Sequence, residues 1–171
     1  MAQNETIYLA GGCFWGLEQA LKMLDGVKET TVGYVNGKTA NPDYEAVCSD
    51  TTGYKEAVKV IYDAQVITLE KLLRAFFICI TPEQKDGQGY DTGTQYQTGV
   101  YYIDPQTAAA CARFFAAERL KHPAFFTELE AMHNFYPAET YHQDYLQKNP
   151  GGYCHISQQE FAAVKALNQE K

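Results

Sequence analysis

A cysteine between glycines and aromatic residues carries the clearest chemical potential in this sequence. Cys13 follows two glycines and precedes Phe14, Trp15 and Gly16. Residues 6–10 before it have the composition of a short buried strand, and residues 17–24 after it have the apolar spacing of a helix. The thiol is therefore expected at a strand-to-helix turn, where unpaired backbone N–H groups and the helix dipole favour a thiolate. The thiolate is the nucleophilic form, so Cys13 is a candidate nucleophile.

A nucleophilic thiol also needs a proton donor for the leaving atom and a route back to the free thiol. Residue types alone leave the donor open among several acids near aromatic clusters: Glu18, Glu45, Glu56 and Asp91. Tyr96 shares a long glycine-containing loop with Asp91. His142 is either a base or a structural histidine that satisfies a backbone group.

The other four cysteines differ in their surroundings. Cys79 and Cys111 lie in apolar and Ala-rich helical segments and are expected in the core, and Cys48 is expected to be partly buried. Cys154 lies in a loop made flexible by glycines and is the candidate partner of Cys13. No pair has CxxC spacing, which argues against a structural zinc site.

Composition sets limits on the class of protein. The chain has 171 residues, a hydrophobic fraction of 46% and a charged fraction of 20%, which suits one domain over residues 1–171. A net charge of -7 argues against nucleic acid as the main partner. No apolar run approaches the length of a membrane span, and the polar N-terminus has no secretory pattern. The sequence predicts a cytoplasmic protein, and nothing in it demands more than a monomer.

Strand and helix patterns alternate along the chain and must position these groups. Strands are predicted at residues 6–10, 30–35, 56–62 and 99–103, and helices at 17–24, 69–80, 105–121, 138–148 and after Ser157. The stretch 81–97 is irregular, and 125–135 has room for another strand. This order predicts an α+β fold, a two-layer domain with helices packed on a central mixed β-sheet and a ferredoxin-like core.

Several ordered motifs, taken together, resemble one family. Gly12 to Gly16 followed by Glu18 is similar to the signature of the A-type peptide methionine sulfoxide reductases, which act on methionine S-sulfoxide. The likeness covers roughly residues 5–156. Its further motifs lie at residues 33–35, 44–48, 52–58, 88–96, 135–143 and 149–154.

The resemblance implies a thiol-dependent reductase with no cofactor. Cys13 is the expected nucleophile that attacks the sulfoxide sulfur, and Cys154 the resolving thiol. The expected Cys13–Cys154 disulfide is recycled by thioredoxin. The remaining implied site residues are Phe14 and Trp15 as walls for the substrate methyl group, Glu56 as the acid that protonates the oxygen, Tyr44 and Tyr96 as hydroxyl donors to it, and Asp91 as an organiser of the site.

Elementary chemistry agrees with these implied roles. A sulfoxide oxygen leaves poorly until it is protonated, and a partly buried Glu56 with a raised pKa could hold the proton near neutral pH. A sulfenic acid on Cys13 would condense with a nearby thiol. The expected substrates are methionine sulfoxide, free or in proteins.

The sequence departs from the family pattern at a few positions. Tyr54 stands where many relatives have His, Gln97 where many have Arg, and Thr81 where many have Asp. No cysteine follows Cys154, so we expect a cycle of two thiols.

Two other functions remain open from the residues alone. A cysteine hydrolase would pair Cys13 with His142 and form an acyl-enzyme. A non-catalytic module would use an aromatic cage of Phe14, Trp15, Tyr44 and Tyr96 to bind a methylated or cationic ligand.

Overall fold

Strands and helices alternate along residues 3–170, which the computed structural model describes. The strands are β1 Asn4–Ala10, β2 Val27–Val35, β3 Lys55–Asp63, β4 Gly87–Gln88, β5 Asp91–Thr92, β6 Gly99–Tyr102, β7 Glu128–Ala131 and β8 Phe135–Pro137. The α-helices are α1 Phe14–Lys22, α2 Tyr44–Cys48, α3 Leu69–Ile78, α4 Pro105–Arg119, α5 Tyr145–Lys148 and α6 Gln158–Ala166. Short 3₁₀ helices cover Thr94–Tyr96, Thr140–His142 and Leu167–Gln169. Met1, Ala2 and Lys171, which the predicted domain 1–171 includes, lie outside the described residues.

Six of these strands form one mixed sheet in the order β7-β6-β1-β3-β2-β8. The four central strands pair antiparallel, whereas β7 joins β6 in parallel. Numbered by their place in a β-α-β-β-α-β unit, the central strands lie in the order 4-1-3-2 of a ferredoxin-like sheet. The predicted fold class is confirmed.

Alternation along the strands builds a core on each face of this sheet. Ile7 and Leu9 of β1 point into the main core, which the helices cover, whereas Tyr8 and Ala10 point into a small cluster on the opposite face. Cys79 and Cys111 belong to the main core, as expected. Because the helices cover the main core, the chain must turn toward that face of the sheet after β1.

Three predicted helix starts are capped by side chains. Thr68 accepts a hydrogen bond from the Lys71 amide, and Asp104 accepts one from the Thr107 amide at the start of α4. Ser157 and Glu160 form a reciprocal capping box on α6.

The helix predicted over residues 138–148 is wrong. The segment is a 3₁₀ turn and the one-turn helix α5, separated by Asp144 in a left-handed conformation with φ of 54°. The Gln143 side chain holds this shape because it bonds both the N–H and the C=O of Val32 on β2. A non-local anchor therefore outweighs the local helical pattern.

Two smaller expectations also change. The irregular stretch 81–97 contains the β4–β5 hairpin and a 3₁₀ turn. Cys48, expected to be partly buried, is exposed because it lies at the C-terminal end of the short helix α2.

Among the described residues, no helix combines the length and apolar character needed to cross a membrane.

Candidate active site

Cys13 lies directly before helix α1, as its N-cap residue. The strand-to-helix turn predicted around it is confirmed. Gly12 makes the turn possible, since its φ is +79° and a Cβ there would lie 2.7 Å from Cβ of Gln88. The thiol is nearly enclosed, with Cys13 only 7% exposed.

Glu56 brings a carboxyl group to the start of the same helix. The residue is 1% exposed and lies near the beginning of β3. Its Oε1 accepts a hydrogen bond from the Phe14 amide at 3.2 Å, and its Oε2 accepts one from Gln95 Nε2 at 3.2 Å. The contact with Phe14, the residue after Cys13, brings a strand carboxyl to the helix start that carries the thiol.

Burial makes Glu56 a weak acid. Desolvation raises its pKa to about 8, although the bonds from Phe14 and Gln95 act in the opposite direction. The carboxyl therefore holds a proton at neutral pH, as expected for a general acid.

The same burial overturns the expected thiolate at Cys13. Desolvation first, and then the charge of Glu56, raise the pKa of the Cys13 thiol, and the Trp15 amide opposes them only in part. The helix terminus is thus outweighed by the loss of water around the sulfur. Cys13 rests as a thiol, and deprotonation must accompany reaction.

Tyr44 and Tyr96 meet beside Glu56. Burial raises the pKa of both hydroxyls, and the Glu56 charge raises each further. Tyr44 begins α2 and Tyr96 ends the 3₁₀ turn, so two different loops supply them. Both remain protonated and able to donate near neutral pH.

Asp91 is linked to the loop that carries Cys154. Its Oδ2 accepts a hydrogen bond from the Tyr153 hydroxyl at 3.0 Å. The negative charge of Asp91 also raises the pKa values of Cys13 and Glu56. Asp91 therefore lies close enough to act on both groups.

Trp15 is held by two neighbours. Its indole N–H donates to His142 Nδ1 at 3.0 Å, and its ring stacks on Tyr145 with centroids 3.7 Å apart. Phe14 is 1% exposed and packs against Tyr34 and His142. Phe14 is therefore buried beneath the surface and does not form a solvent-exposed wall of a pocket.

The His142 side chain does not have the predicted structural role of satisfying a backbone group. It accepts from a side chain rather than a backbone group, and its Nε2 is buried without a hydrogen-bond partner. Burial lowers its pKa, so the ring is neutral. Its ring packs against the rings of Phe14, Trp15 and Tyr44, three of the four residues of the predicted aromatic cage.

Cys154 is half-buried against the first turn of α1. A Cβ on Gly16 would lie 2.5 Å from Cys154 Sγ, which explains the glycine inside this helix. Residue 16 is three positions after Cys13 and so lies on the same side of the helix. The Ile156 backbone bonds Sγ, at 3.4 Å from its amide. All five cysteines are free thiols in this structure.

Sequence reasoning missed three residues that hold the site together. Gln95 bonds Glu56, Tyr153 bonds Asp91, and Glu139 accepts from both the Tyr44 amide and the Tyr34 hydroxyl. In the sequence, Gln95 comes directly before Tyr96, and Tyr153 comes directly before Cys154. This adjacency is the only local indication that either residue belongs to the site.

Two departures from the family pattern are buried structural groups. The Tyr54 hydroxyl donates to the Thr39 carbonyl. The Gln97 amide accepts from the Asp86 N–H at 2.7 Å and donates to the Phe126 carbonyl at 2.9 Å. Neither hydrogen-bonds to Glu56.

A thiol beside a protonated carboxyl, with a second thiol on the same side of one helix, suits thiol-based oxidoreductase chemistry. The family model described as "Peptide methionine sulfoxide reductase" matches residues 5–171. The chain belongs to this family.

Relatives and solved structures agree with this assignment. The chain is 48% identical to the peptide methionine sulfoxide reductase MsrA of Clostridium acetobutylicum over 153 residues, which are 89% of this chain and 94% of that protein. It is also 48% identical to MsrA of Mycoplasma pneumoniae, covering 89% of this chain and 98% of that protein. Reduced Mxr1 from Saccharomyces cerevisiae superposes with a TM-score of 0.86 at 36% identity, covering 91% of this chain and 92% of that one.

A structure of Mxr1 in complex with Trx2 is also similar, at a TM-score of 0.56 and 25% identity, covering 84% of this chain and 85% of that one.

Proposed function

We propose that this protein reduces methionine S-sulfoxide, free or in proteins, to methionine. The reaction passes through a sulfenic acid on Cys13 and a disulfide with Cys154, and thioredoxin restores the two thiols. The observation that carries the proposal is the pairing of the Cys13 helix start with Glu56, which holds a proton at neutral pH and has both oxygens hydrogen-bonded.

Substrate binding is assigned to the aromatic and hydroxyl groups around this pair. Trp15, fixed by His142 and Tyr145, presents a rigid ring to the methyl group on sulfur, with Phe14 behind it. Glu56 and the hydroxyls of Tyr44 and Tyr96 donate hydrogen bonds to the sulfoxide oxygen. Asp91 orders the loop on which this site depends.

The first step transfers oxygen from substrate to enzyme. Glu56 gives its proton to the sulfoxide oxygen, and the Cys13 sulfur attacks the activated sulfur as its own proton passes to Glu56, which forms a transient S–S bond. The hydroxyl then passes from the substrate sulfur to the Cys13 sulfur, so that the S–S bond and the S–O bond to substrate break as an S–O bond to Cys13 forms. The products are methionine and Cys13 sulfenic acid, and the thiol proton replaces the one that Glu56 gave up.

The second step uses the thiol that lies along α1. Cys154 Sγ attacks the sulfenic sulfur, hydroxide leaves as water with the Cys154 proton, and the Cys13–Cys154 disulfide forms. The position of Cys154 Sγ against Gly16, one turn from Cys13, supports a short path.

Thioredoxin, a protein dithiol, then reduces the disulfide by exchange. A groove of about 600 Å³ beside Cys154 is lined by Met23, Leu146, Pro150 and Phe161, among others. This groove, which Gln19, Ser157 and Gln158 also line, gives a protein reductant a surface next to the sulfur it must attack. We assign the protein no metal or organic cofactor.

The hydrolase alternative is disfavoured by His142. Its Nδ1 is taken by the Trp15 indole, and its Nε2 is buried without a partner, so neither nitrogen is paired with the Cys13 thiol.

Three variants test the proposed cycle with a methyl sulfoxide substrate. Cys13→Ser should abolish reduction, and Cys154→Ser should complete about one turnover and stop. Cys111→Ser, which alters a buried core thiol, is the matched control and should turn over repeatedly. Multiple turnover of Cys13→Ser with thioredoxin present would refute the proposal. A dominant disulfide other than Cys13–Cys154 after one turnover, measured by mass spectrometry, would refute the two-thiol cycle.

The same proposal places the protein in the cytoplasm as a monomeric single domain, without nucleic-acid or membrane partners. The net charge of -7 supports the absence of a nucleic-acid partner, because such a partner needs a basic surface. Light scattering coupled to size exclusion tests the monomer, and a stable dimer would contradict it.

A further inference from the structure

Gln95 is a buried amide with two partners at the site. The residue is 4% exposed and lies in the middle of the 3₁₀ turn Thr94–Tyr96. Its Nε2 donates to Glu56 Oε2 at 3.2 Å and to Cys48 Sγ at 3.4 Å. One side-chain amide therefore connects the Glu56 carboxyl to the end of helix α2.

The turn that carries Gln95 is fixed to its surroundings. The Asp50 carboxylate accepts from both the amide and the hydroxyl of Thr94, the first residue of the turn. Within the turn, the Tyr96 amide donates to the Gly93 carbonyl at 3.0 Å. The turn is thus closed by its own hydrogen bond and tied to Asp50 at its first residue, which restricts the position of the Gln95 amide relative to Glu56.

Each oxygen of Glu56 has one donor, and the two donors come from different elements. Phe14 of α1 holds Oε1 and Gln95 holds Oε2, so the plane of the carboxyl group is set by two points. Without Gln95, one point remains and the group can rotate about its last bond. Phe14 donates through its backbone amide, which a side-chain substitution does not remove. Of the two donors to Glu56, only Gln95 can therefore be removed by substitution.

We propose that Gln95 is a positioning residue that holds the Glu56 carboxyl in the orientation from which it donates a proton to substrate. The role rests on the proposed function, since it concerns the proton that Glu56 supplies. Gln95 acts through Glu56 and is not assigned a contact with substrate.

Gln95 also affects how readily the proton is released. A donor to the carboxyl oxygen stabilises the charged form, so the Gln95 bond lowers the pKa of Glu56 against the larger effect of burial. Removing the bond should raise the pKa, by about one unit for one hydrogen bond to a charged group.

The test compares Gln95→Met with Gln97→Met. Gln97 is a glutamine in the same loop, is 5% exposed, and bonds main-chain groups of Asp86, Thr98 and Phe126 instead of Glu56. Single-turnover rates of sulfoxide reduction are measured against pH and substrate concentration. Gln95→Met should lower the maximal rate roughly tenfold with little change in KM and move the alkaline limb up by about one pH unit. Gln97→Met should leave that limb in place.

A second readout does not depend on turnover. Carboxyl-carbon NMR of protein labelled at glutamate follows the titration of Glu56, assigned by its loss in Glu56→Gln. The resonance should titrate at higher pH in Gln95→Met, and Gln95→Glu serves as a second variant of similar size that replaces the donor with a carboxyl. In a Glu56→Gln background, Gln95→Met should cost almost nothing more in rate.

An unchanged Glu56 titration in both Gln95 variants, or an equal shift in Gln97→Met, would overturn the inference. If the wild-type protein failed to reduce sulfoxides, the proposed function would fall, and the carboxyl titration would still decide whether Gln95 controls Glu56.

Discussion

Gly16→Ala adds one methyl group between helix α1 and the Cys154 sulfur. The new Cβ would lie 2.5 Å from Cys154 Sγ and 3.3 Å from Ile156 Cδ1. Ordinary contacts of this kind need about 3.5–4 Å, so the sulfur must retreat by roughly 1 Å. Alanine also favours the helix by up to ~1 kcal/mol over glycine, which offsets part of the clash and lets the variant fold.

The displaced sulfur should slow the second step more than the first. A misplacement of about 1 Å can cost on the order of 100-fold in rate, and the methyl group lies one turn from Cys13 on the side that Cys154 must cross. We expect oxygen transfer to Cys13 to stay within a few-fold of wild type. The Cys13 sulfenic acid should then accumulate, because its conversion to the disulfide becomes slow.

The assay follows both species after mixing enzyme with one equivalent of a methyl sulfoxide and no reductant. Sulfenic acid is trapped with a carbon nucleophile, the disulfide is quantified by mass spectrometry, and the ratio of the two rates is the readout. Gly151→Ala is the matched control, since it lies in the Cys154 loop and its Cβ would meet nothing within 4 Å. Disulfide formation at the wild-type rate in Gly16→Ala would refute the reasoning.

The further predictions concern three residues: Glu56, His142 and Ser157. Glu56→Gln should slow sulfoxide reduction by about 100- to 10 000-fold and remove the alkaline limb near pH 8, measured by single-turnover rates against pH. The same variant should become more stable relative to wild type as pH rises from 4.5 to about 8. Burial raises the pKa of Glu56 in the folded wild type above its ordinary value of 4.5, so the wild type loses stability as the carboxyl is deprotonated over this range, and the glutamine variant does not. Denaturant unfolding at several pH values measures the difference in the free energy of unfolding. His142→Phe should raise KM with a smaller change in kcat, since the Trp15 N–H loses its acceptor, whereas His142→Gln, which retains an acceptor, should recover part of the loss. Ser157→Ala should lower the free energy of unfolding by about 1 kcal/mol through loss of the α6 cap and leave kcat unchanged; a change in kcat would contradict a purely structural role.

Local patterns were enough to predict most of the scaffold. The strand before Cys13 and the helix after it follow from apolar spacing. Thr68, Asp104 and Ser157 are residue types that favour the N-cap position, and each begins a helix. The four central strands give the sheet order once the alternating β-α-β-β-α-β order is recognised. The apolar spacing and the helix caps depend on neighbours within a few residues, which a sequence displays directly, whereas the strand order follows from recognising the unit as a whole.

The contacts that assemble the site are non-local and could not be predicted in this way. Glu56 meets Phe14 across 42 residues, Gln95 meets Glu56 across 39, and Trp15 meets His142 across 127. A buried glutamine and an exposed one look alike in sequence. The failure of the helix predicted at 138–148 has the same origin, because the Gln143 bonds to β2 fix the segment from outside.

The expected thiolate failed for a different reason, which bears on how the site works. Cys13 and Glu56 are buried close together, so a negative charge on one of them opposes ionisation of the other. Glu56 titrates below Cys13, and as pH rises the first charge therefore forms on the carboxyl rather than on the sulfur. At neutral pH the resting site holds both protons, and a thiolate forms only when one proton has somewhere to go. In the proposed cycle a sulfoxide oxygen is such a place: it accepts the Glu56 proton, and the carboxylate left behind can accept the proton of the thiol. Under that proposal, burial links activation of the nucleophile to the presence of a substrate that can be protonated, and Cys13 is expected to stay unreactive in its absence.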